Sequence, residues 1–246
     1  MPPPSIQLLV TCLIDGLFPE VGESVVELLT RAGVGVAFPP AQTCCGQPAF
    51  NAGYWAEARR MARHTIEVFE ASPDPVVIPS GSCAHMVRHG YLDLFADDPD
   101  WLTRARRLAE RTSELSEYLV GQLGRTGFGA VSSSRVAYHP SCHLLRGLGV
   151  DRQPLALLEQ VRGLDVQPLE PECCGFGGVF SIDEADLSAE MLTRKLAAIE
   201  AANVSAVVGC DVSCLMQIEG GLRKRGSHVR CLHLAQLLVG REPGLR

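Results

Sequence analysis

The sequence predicts an α/β protein with two Rossmann-like parallel-sheet lobes, related by approximate twofold symmetry and each carrying a Cys-Cys-Gly turn. Short apolar runs alternate with segments of helical periodicity, which is typical of parallel sheets covered by helices. The cysteines occur twice in the same order, and each member of the first set lies 129–131 residues before its counterpart. Residues 121–134 are rich in Gly and Ser, as expected of a linker. We therefore expect one lobe over residues 1–125 and a second over residues 126–246.

The first half contains three apolar runs that are short enough for buried strands, over residues 6–11, 34–38 and 76–78. Apolar residues at helical spacing predict helices over residues 24–31 and 58–69. The resulting order of strand, helix, strand, helix and strand favours a parallel sheet in this half.

The second half repeats this order. Strands are predicted over residues 136–141, 165–169 and 206–208, and helices over residues 154–161 and 185–199. In both halves the cysteines follow the predicted strands. Because ligands of open parallel sheets bind beyond the carboxyl ends of the strands, we expect one cysteine-lined crevice in each lobe.

Eight of the 10 cysteines fall into two matched sets, each made of a single cysteine, an adjacent pair followed by glycine, and another single cysteine. The sets are Cys12, Cys44, Cys45 and Cys83, then Cys142, Cys173, Cys174 and Cys214. A metal or cluster site needs several thiolates from distant parts of the chain, and thiolate suits iron–sulfur clusters and zinc. The alternatives are buried thiols that only fill the core and duplicated sites that have lost their function.

Other residues beside the cysteines are candidates for supporting roles. We expect Gly46 and Gly175 to remove a Cβ where the backbone passes close to a bulky cofactor. His139 and His143 flank Cys142, and a histidine there could bind metal or carry protons. We expect His85 to be a hydrogen-bonded loop histidine and His143 to support the site from outside the ligand set.

Composition narrows the class of protein. The net charge is −6 and the basic residues are scattered, which argues against a nucleic-acid partner. No apolar run has the length of a transmembrane segment, and the first residues show no secretory signal pattern, so we expect a cytoplasmic protein. Thiols there stay reduced and serve as ligands more often than as disulfides. The chain also lacks a flavin or nicotinamide fingerprint, so it need not perform a hydride transfer alone.

Six motifs resemble the lactate utilization protein A family, one of the cysteine-rich CCG families, to which a heterodisulfide reductase subunit and the glycolate oxidase iron–sulfur subunit also belong. The motifs are TCLIDGLFPEVGESVVELL, QTCCGQPAFNAGY, PSGSCAHMVRH, YHPSCHLLRG, ECCGFGG and CLMQIEGGL. The resemblance implies an iron–sulfur electron-transfer subunit of a complex that oxidises L-lactate to pyruvate, with a ferredoxin-like subunit and a third subunit as partners. It also implies that the eight repeated cysteines bind one or two clusters of the [4Fe-4S] type.

Two positions depart from the family pattern, in which a fully equipped motif ends in Cys-x-x-Cys and five cysteines hold a noncubane cluster. Ser80 stands three residues before Cys83, and Asp211 stands three before Cys214. Each either supplies an oxygen ligand or caps a loop. Cys210 is one residue out of register but could reach the site along a helix face.

Some relatives hold zinc in one motif, so zinc in one of the two sites is an open alternative. The alternative functions are a cluster-based disulfide, heterodisulfide or quinone-linked reductase subunit and a zinc-binding scaffold without redox activity.

Overall fold

A computed structural model of the protein describes residues 4–241, which form two lobes with a four-stranded parallel sheet in each. The first sheet contains β1 (Ser5–Leu8), β2 (Gly35–Ala37), β3 (Val76–Ile78) and β4 (Thr112–Glu114). The second contains β5 (Arg135–His139), β6 (Asp165–Pro168), β7 (Ala206–Gly209) and β8 (Arg230–His233). The strand orders are β2-β1-β3-β4 and β6-β5-β7-β8. The predicted fold of two Rossmann-like lobes is confirmed.

Helices connect the strands of each sheet. In the first lobe they are α1 (Cys12–Leu17), α2 (Pro19–Arg31), α3 (Gln47–Asn51), α4 (Trp55–Phe69), α5 (Gly81–His85), α6 (Tyr91–Leu94), α7 (Pro99–Glu110) and α8 (Leu115–Glu117). In the second they are α9 (Arg152–Leu158), α10 (Phe180–Asp183), α11 (Ala185–Ala201), α12 (Val212–Lys224) and α13 (Leu234–Leu238). Single π-helical turns occupy Met86–Gly90, Tyr118–Gln122 and His143–Gly147. Among the described residues, no helix is long and apolar enough to cross a membrane.

The fourth strand of each sheet was not predicted. β4 has the sequence Thr-Ser-Glu, which carries no apolar pattern, yet all three residues are buried and pair with β3. The apolar residues of β8 continue without a break into α13. The hydrophobic pattern of the sequence therefore does not show where the strand ends and the helix begins. Pairing with a neighbouring strand satisfies the backbone polar groups in both cases, and local sequence does not encode this pairing.

The two lobes exchange equivalent contacts, as approximate twofold symmetry requires. α8 of the first lobe packs against α9 of the second, and α13 of the second packs against α2 of the first. Both α8 and α13 begin with a capping box directly after the last strand of their sheet. The boxes are Glu114 with Glu117 and His233 with Gln236. The same local chemistry therefore sets the direction of both interface helices.

One hydrophobic cluster extends through both lobes. It includes Ile6 and Leu28 of the first lobe together with Val136, Val207 and Leu237 of the second. Because these side chains share one core, burial of apolar surface fixes the lobes against each other. The ends of both sheets are thereby held on opposite sides of the same interface.

Candidate metal centre

The repeated cysteines lie at the carboxyl ends of the strands, where each doubly wound sheet reverses its winding direction. Cys12 is the first residue of α1. Cys83 and Cys214 lie in the first turns of α5 and α12. The adjacent pairs follow the edge strands β2 and β6.

All eight cysteines line one cavity of about 210 Å³ between the lobes. The sequence predicts a crevice in each lobe, whereas in the structure both sets form the wall of a common cavity. We call them the first quartet (Cys12, Cys44, Cys45, Cys83) and the second quartet (Cys142, Cys173, Cys174, Cys214).

Thiol–thiol interactions link the members of the first quartet in chain order. Hydrogen bonding from the thiols of Cys12 and Cys45 lowers the pKa of Cys44 to about 3. The same interactions, together with burial, raise the pKa of Cys12 and of Cys45. The hydrogen bonds within the first quartet therefore favour the thiolate form at Cys44 over that of Cys12 and Cys45.

The second quartet repeats this arrangement. Hydrogen bonding from Cys142 and Cys174 lowers the pKa of Cys173 to about 2, and the Gly175 N–H donates to its Sγ at 3.4 Å. Hydrogen bonding with Cys173 and burial raise the pKa of Cys142 and of Cys174. A bound cation would displace these protons, since only thiolates ligate metal.

Ser80 and Asp211, the two departures from the family pattern, bond to each other across the lobe interface. Asp211 Oδ1 accepts hydrogen bonds from the hydroxyls of Ser80 and Ser82, both at 2.8 Å. Its Oδ2 accepts from the backbone N–H of Ser82 at 3.1 Å and from the Ser141 hydroxyl at 2.8 Å. Ser80 also accepts from the Cys83 N–H at 3.3 Å and so caps α5.

Asp211 lines the cavity, but both oxygens of its carboxylate accept hydrogen bonds from residues beside the two quartets and are not free to act as ligands. Its four donors come from the loop before Cys83, from the first turn of α5 and from Ser141 beside Cys142. This network, which we call the Asp211 clamp, positions the quartets relative to each other.

Cys210 lies outside the cavity. It is 1% exposed at the end of β7, and the groups that raise its pKa besides burial are the carboxylates of Glu114 and Asp211. The structure therefore does not bring Cys210 to either quartet. Cys231 is fully buried in β8 and is also outside the cavity, as expected of a core residue.

The two glycines of the Cys-Cys-Gly turns are required by helix packing. Gly46 and Gly175 have φ values of +87° and +85°, which disfavour any side chain. A Cβ on Gly175 would lie 2.5 Å from the Ser188 carbonyl oxygen of α11, and one on Gly46 would lie 3.3 Å from Cβ of Met61 in α4. The expectation that these glycines make room for a cofactor is wrong, because the missing Cβ faces a helix.

His139 is the buried histidine behind the second quartet. It is 1% exposed, and neither ring nitrogen has a hydrogen-bond partner among residues 4–241. One ring nitrogen and the Sγ atoms of Cys174 and Cys214 all lie within 4.8 Å of one another. Burial, followed by the positive charge of Lys195, lowers the pKa of His139 to about 3, so the imidazole is neutral.

The other two candidate histidines, His85 and His143, belong to a cluster of three imidazole rings at the interface. His143 lines the cavity, and its ring centroid lies 5.1 Å from that of His85. His85 ends α5 and also contacts His89 at 5.0 Å. The expectation that His85 is a hydrogen-bonded loop residue is wrong. Burial and the charges of His143 and His89 lower the pKa of His85 to about 4.

Sequence reasoning missed Lys195. It lies on α11, is 1% exposed and donates from Nζ to the Glu170 carbonyl oxygen at 2.9 Å. Burial lowers the pKa of Lys195, while the carboxylate of Glu172 and, to a smaller extent, the second-quartet cysteines oppose that shift. Its position on the apolar face, three residues after Leu192 and four before Ile199, was the available sign that this lysine is buried.

Glu114 gives the interface a pH-dependent stability. Its side chain is fully buried, and only Oε2 is hydrogen bonded within residues 4–241, by Ser116 and by the Glu117 N–H. Burial raises the pKa of Glu114 from 4.5 to about 7. The folded state therefore binds this proton more tightly than the unfolded state. The stabilisation is complete below about pH 4.5 and is lost as pH rises through about 7.

We expect Glu114→Gln to remove this loss and to raise the free energy of unfolding at pH 8.5 by about 1–3 kcal/mol. At pH 4.5 the two proteins should differ little, because the wild-type carboxyl is then neutral. Urea unfolding at a series of pH values checks this. Glu190→Gln, an exposed change on α11, is the matched control. Parallel wild-type and Glu114→Gln stability profiles between pH 5 and 8 would contradict the prediction.

The donor atoms on the cavity wall fit a soft metal ion or an iron–sulfur cluster. Each quartet offers four sulfur atoms, whereas the Asp211 carboxylate and the Ser80 hydroxyl are already committed to hydrogen bonds. Hard cations such as Mg²⁺ and Ca²⁺ require several oxygen ligands and do not fit this wall. The sulfur set matches the ligands of clusters and of structural zinc.

Comparisons with known proteins identify the family. The CCG cysteine-rich domain matches residues 6–88 and 136–219. Lactate utilization protein A 2 of Bacillus cereus (strain Q1) is 44% identical over 236 residues, covering 95% of this chain and 97% of that protein. Lactate utilization protein A of Shouchella clausii (strain KSM-K16) is 46% identical over 240 residues, covering 97% and 100%. The chain belongs to the lactate utilization protein A family of CCG proteins.

The two matched CCG ranges contain both quartets and Asp211, whereas β4 and Glu114 lie between them. A solved structure supports the fold of this CCG protein. A hypothetical protein from Helicobacter pylori superposes with a TM-score of 0.63 at 9% identity, over 99% of this chain and 50% of that one. At this identity the likeness shows the fold alone.

Proposed function

We propose that this protein is the iron–sulfur electron-transfer subunit of a complex that oxidises L-lactate to pyruvate. The observation that carries the proposal is the convergence of two cysteine quartets on one cavity in a chain that matches lactate utilization protein A along nearly its whole length. The proposed ligands are the eight quartet cysteines, and the proposed cofactor is one or two clusters of the [4Fe-4S] type, with zinc in one site as the alternative.

Oxidation of the lactate hydroxyl carbon to a ketone releases two electrons and two protons. An iron–sulfur cluster supplies one-electron transfer when it is bound. The residues of this chain would hold and tune it. The Gly175 N–H points at the sulfur of Cys173, and a hydrogen bond of this kind stabilises the more negative, reduced state. Leu13, Phe176 and Val212 add apolar surface to the cavity wall and limit the access of water.

The proposed partners are a ferredoxin-like iron–sulfur subunit and a third subunit. Cys12 of the first quartet is exposed, whereas its counterpart Cys142 in the second is half-buried, and the other members of the two quartets are matched in burial. The first quartet is therefore the one that a partner could approach most closely. Because the rate of electron transfer falls steeply with the distance between redox centres, we propose that electrons pass between this chain and its partner through the first quartet.

Purification of the full chain without oxygen tests the cofactor. We expect iron and acid-labile sulfide in comparable amounts and an EPR signal after reduction. Zinc without iron under the same conditions would replace the proposal with a zinc scaffold. Steady turnover of a disulfide or a quinone by the isolated chain would instead favour a reductase.

Growth on L-lactate tests the pathway. We expect a strain without the gene to grow on glucose but not on L-lactate as the sole carbon source. The wild-type gene should restore growth, and so should Cys231→Ala, whereas Cys45→Ala should not. Normal growth of the deletion strain, in a background without other lactate oxidases, would contradict the proposal.

A further inference from the structure

The two quartets match closely, but the residues behind them do not. His139 and Lys195 lie behind the second quartet, and residues 130 positions earlier are Leu9 and Thr65. Equivalent positions of the two long helices have the same offset. Met61 of α4 packs against Gly46, and Met191 of α11, which is 130 residues later, packs against Gly175. The second quartet therefore has an imidazole and an ammonium group where the first has an aliphatic side chain and a hydroxyl.

The imidazole ring of His139 lies next to two thiols of the second quartet. A ring nitrogen lies within 4.8 Å of the sulfur atoms of both Cys174 and Cys214, which is close enough for a single ion to contact all three after small movements. His139 ends β5, which pairs in register with β7 at Gly209. The strand thus fixes its backbone next to the loop that leads to Cys214.

Both nitrogens of His139 lack a hydrogen-bond partner within residues 4–241, although the residue is 1% exposed. Buried polar groups are almost always satisfied, and an orphan of this kind indicates a missing partner. The neighbouring groups are thiols, so the partner that fits is a metal ion bound by them. Imidazole nitrogen and thiolate are together the usual ligands of zinc and are also found on iron.

We propose that His139 is a nitrogen ligand of the metal centre in the second quartet, so that the second site has a mixed nitrogen–sulfur donor set and the first has sulfur alone. The inference rests on the proposed function in that the quartets must bind metal. The imidazole brings no negative charge of its own, and the ammonium group of Lys195 offsets part of the thiolate charge of the second quartet, so the second centre is less negative than the first. The two centres are then chemically distinct despite their common origin.

Cobalt(II) bound to the metal-free full chain tests this assignment, because its spectra report the number and type of ligands. Cys44→Ala with Cys83→Ala disables the first quartet and leaves the second. In this background we expect tetrahedral cobalt with thiolate charge-transfer bands, and ¹⁵N-histidine labelling should show a directly bonded nitrogen in pulsed EPR.

His139→Leu reproduces the residue type of the first lobe. We expect it to remove the nitrogen coupling and to weaken cobalt binding at least about tenfold. His143→Gln, which changes the other histidine beside Cys142, should keep the coupling. The reciprocal background, with Cys174→Ala and Cys214→Ala, removes both thiols that lie beside His139 and so isolates the first quartet, and cobalt there should show no nitrogen coupling.

Each outcome decides a separate claim. Cobalt bound to the second quartet without nitrogen coupling in the wild-type histidine background overturns the His139 assignment and leaves the metal-centre proposal intact. Coupling that disappears in His143→Gln also overturns it. Absence of cobalt from both quartets contradicts the proposed function itself. If His139→Leu does not fold, the labelled protein that retains His139 still decides the question.

Discussion

Asp211→Ala is expected to lower the free energy of unfolding by about 3–5 kcal/mol. The carboxylate is 2% exposed and accepts four hydrogen bonds from three serines. Its removal takes away the acceptor of three hydroxyls and one backbone N–H, from the buried Ser80 and Ser141 and the half-buried Ser82. Urea unfolding of the metal-free chain measures the loss.

Hydrogen exchange locates the same effect. The amide of Ser82, which donates to Asp211, should exchange faster in Asp211→Ala, and so should the neighbouring amides of α5. Asp165→Ala is the control, because Asp165 forms an exposed ion pair with Arg135 and should change stability by less than about 1 kcal/mol. Equal stabilities of the two variants would show that the Asp211 clamp does not hold the lobes together.

Cys45→Ala is expected to remove the metal of the first quartet and to leave that of the second, and Cys174→Ala is expected to do the reverse. Cys45 and Cys174 each link two other thiols of their own quartet. The thiol interactions that shift these pKa values lie within a quartet, which favours two separate centres on the common cavity. Metal content and EPR should each fall by about half in the single variants and to background in the double variant.

Cys231→Ala is the matched control for these variants. Cys231 is as buried as Cys45 but lies in β8, away from the cavity. It should keep both centres. If either single quartet variant lost all of the metal, the eight cysteines would hold one shared centre, and the prediction of two centres would be wrong.

Much of the fold follows from the sequence. The strand predicted over residues 76–78 is β3, and the helix predicted over residues 58–69 is most of α4. These elements were predictable because their apolar periodicity is local. β4 was not, since Thr112, Ser113 and Glu114 are polar and become a strand only through pairing with β3. The division of the chain at residues 125 and 126 stays a prediction.

The site, like the fold, was predictable from the sequence only in part. The repeated spacing identified all eight cysteines, but it did not show that both quartets face one cavity. Nor did it show that Ser80 would bond to Asp211, which lies 131 residues away in sequence. His139 was visible beside Cys142, yet its closeness to Cys214 depends on the pairing of β5 with β7.

The sequence by itself determined the two-lobed α/β fold and the two quartets, because periodicity and spacing are properties of neighbouring residues along the chain. Only the tertiary structure decided that the lobes meet at their cysteine-bearing ends, that a buried carboxylate joins them, and that a histidine and a lysine stand behind one quartet alone. These features depend on contacts between residues far apart in sequence, and the shared hydrophobic core that creates those contacts forms only when both lobes pack together.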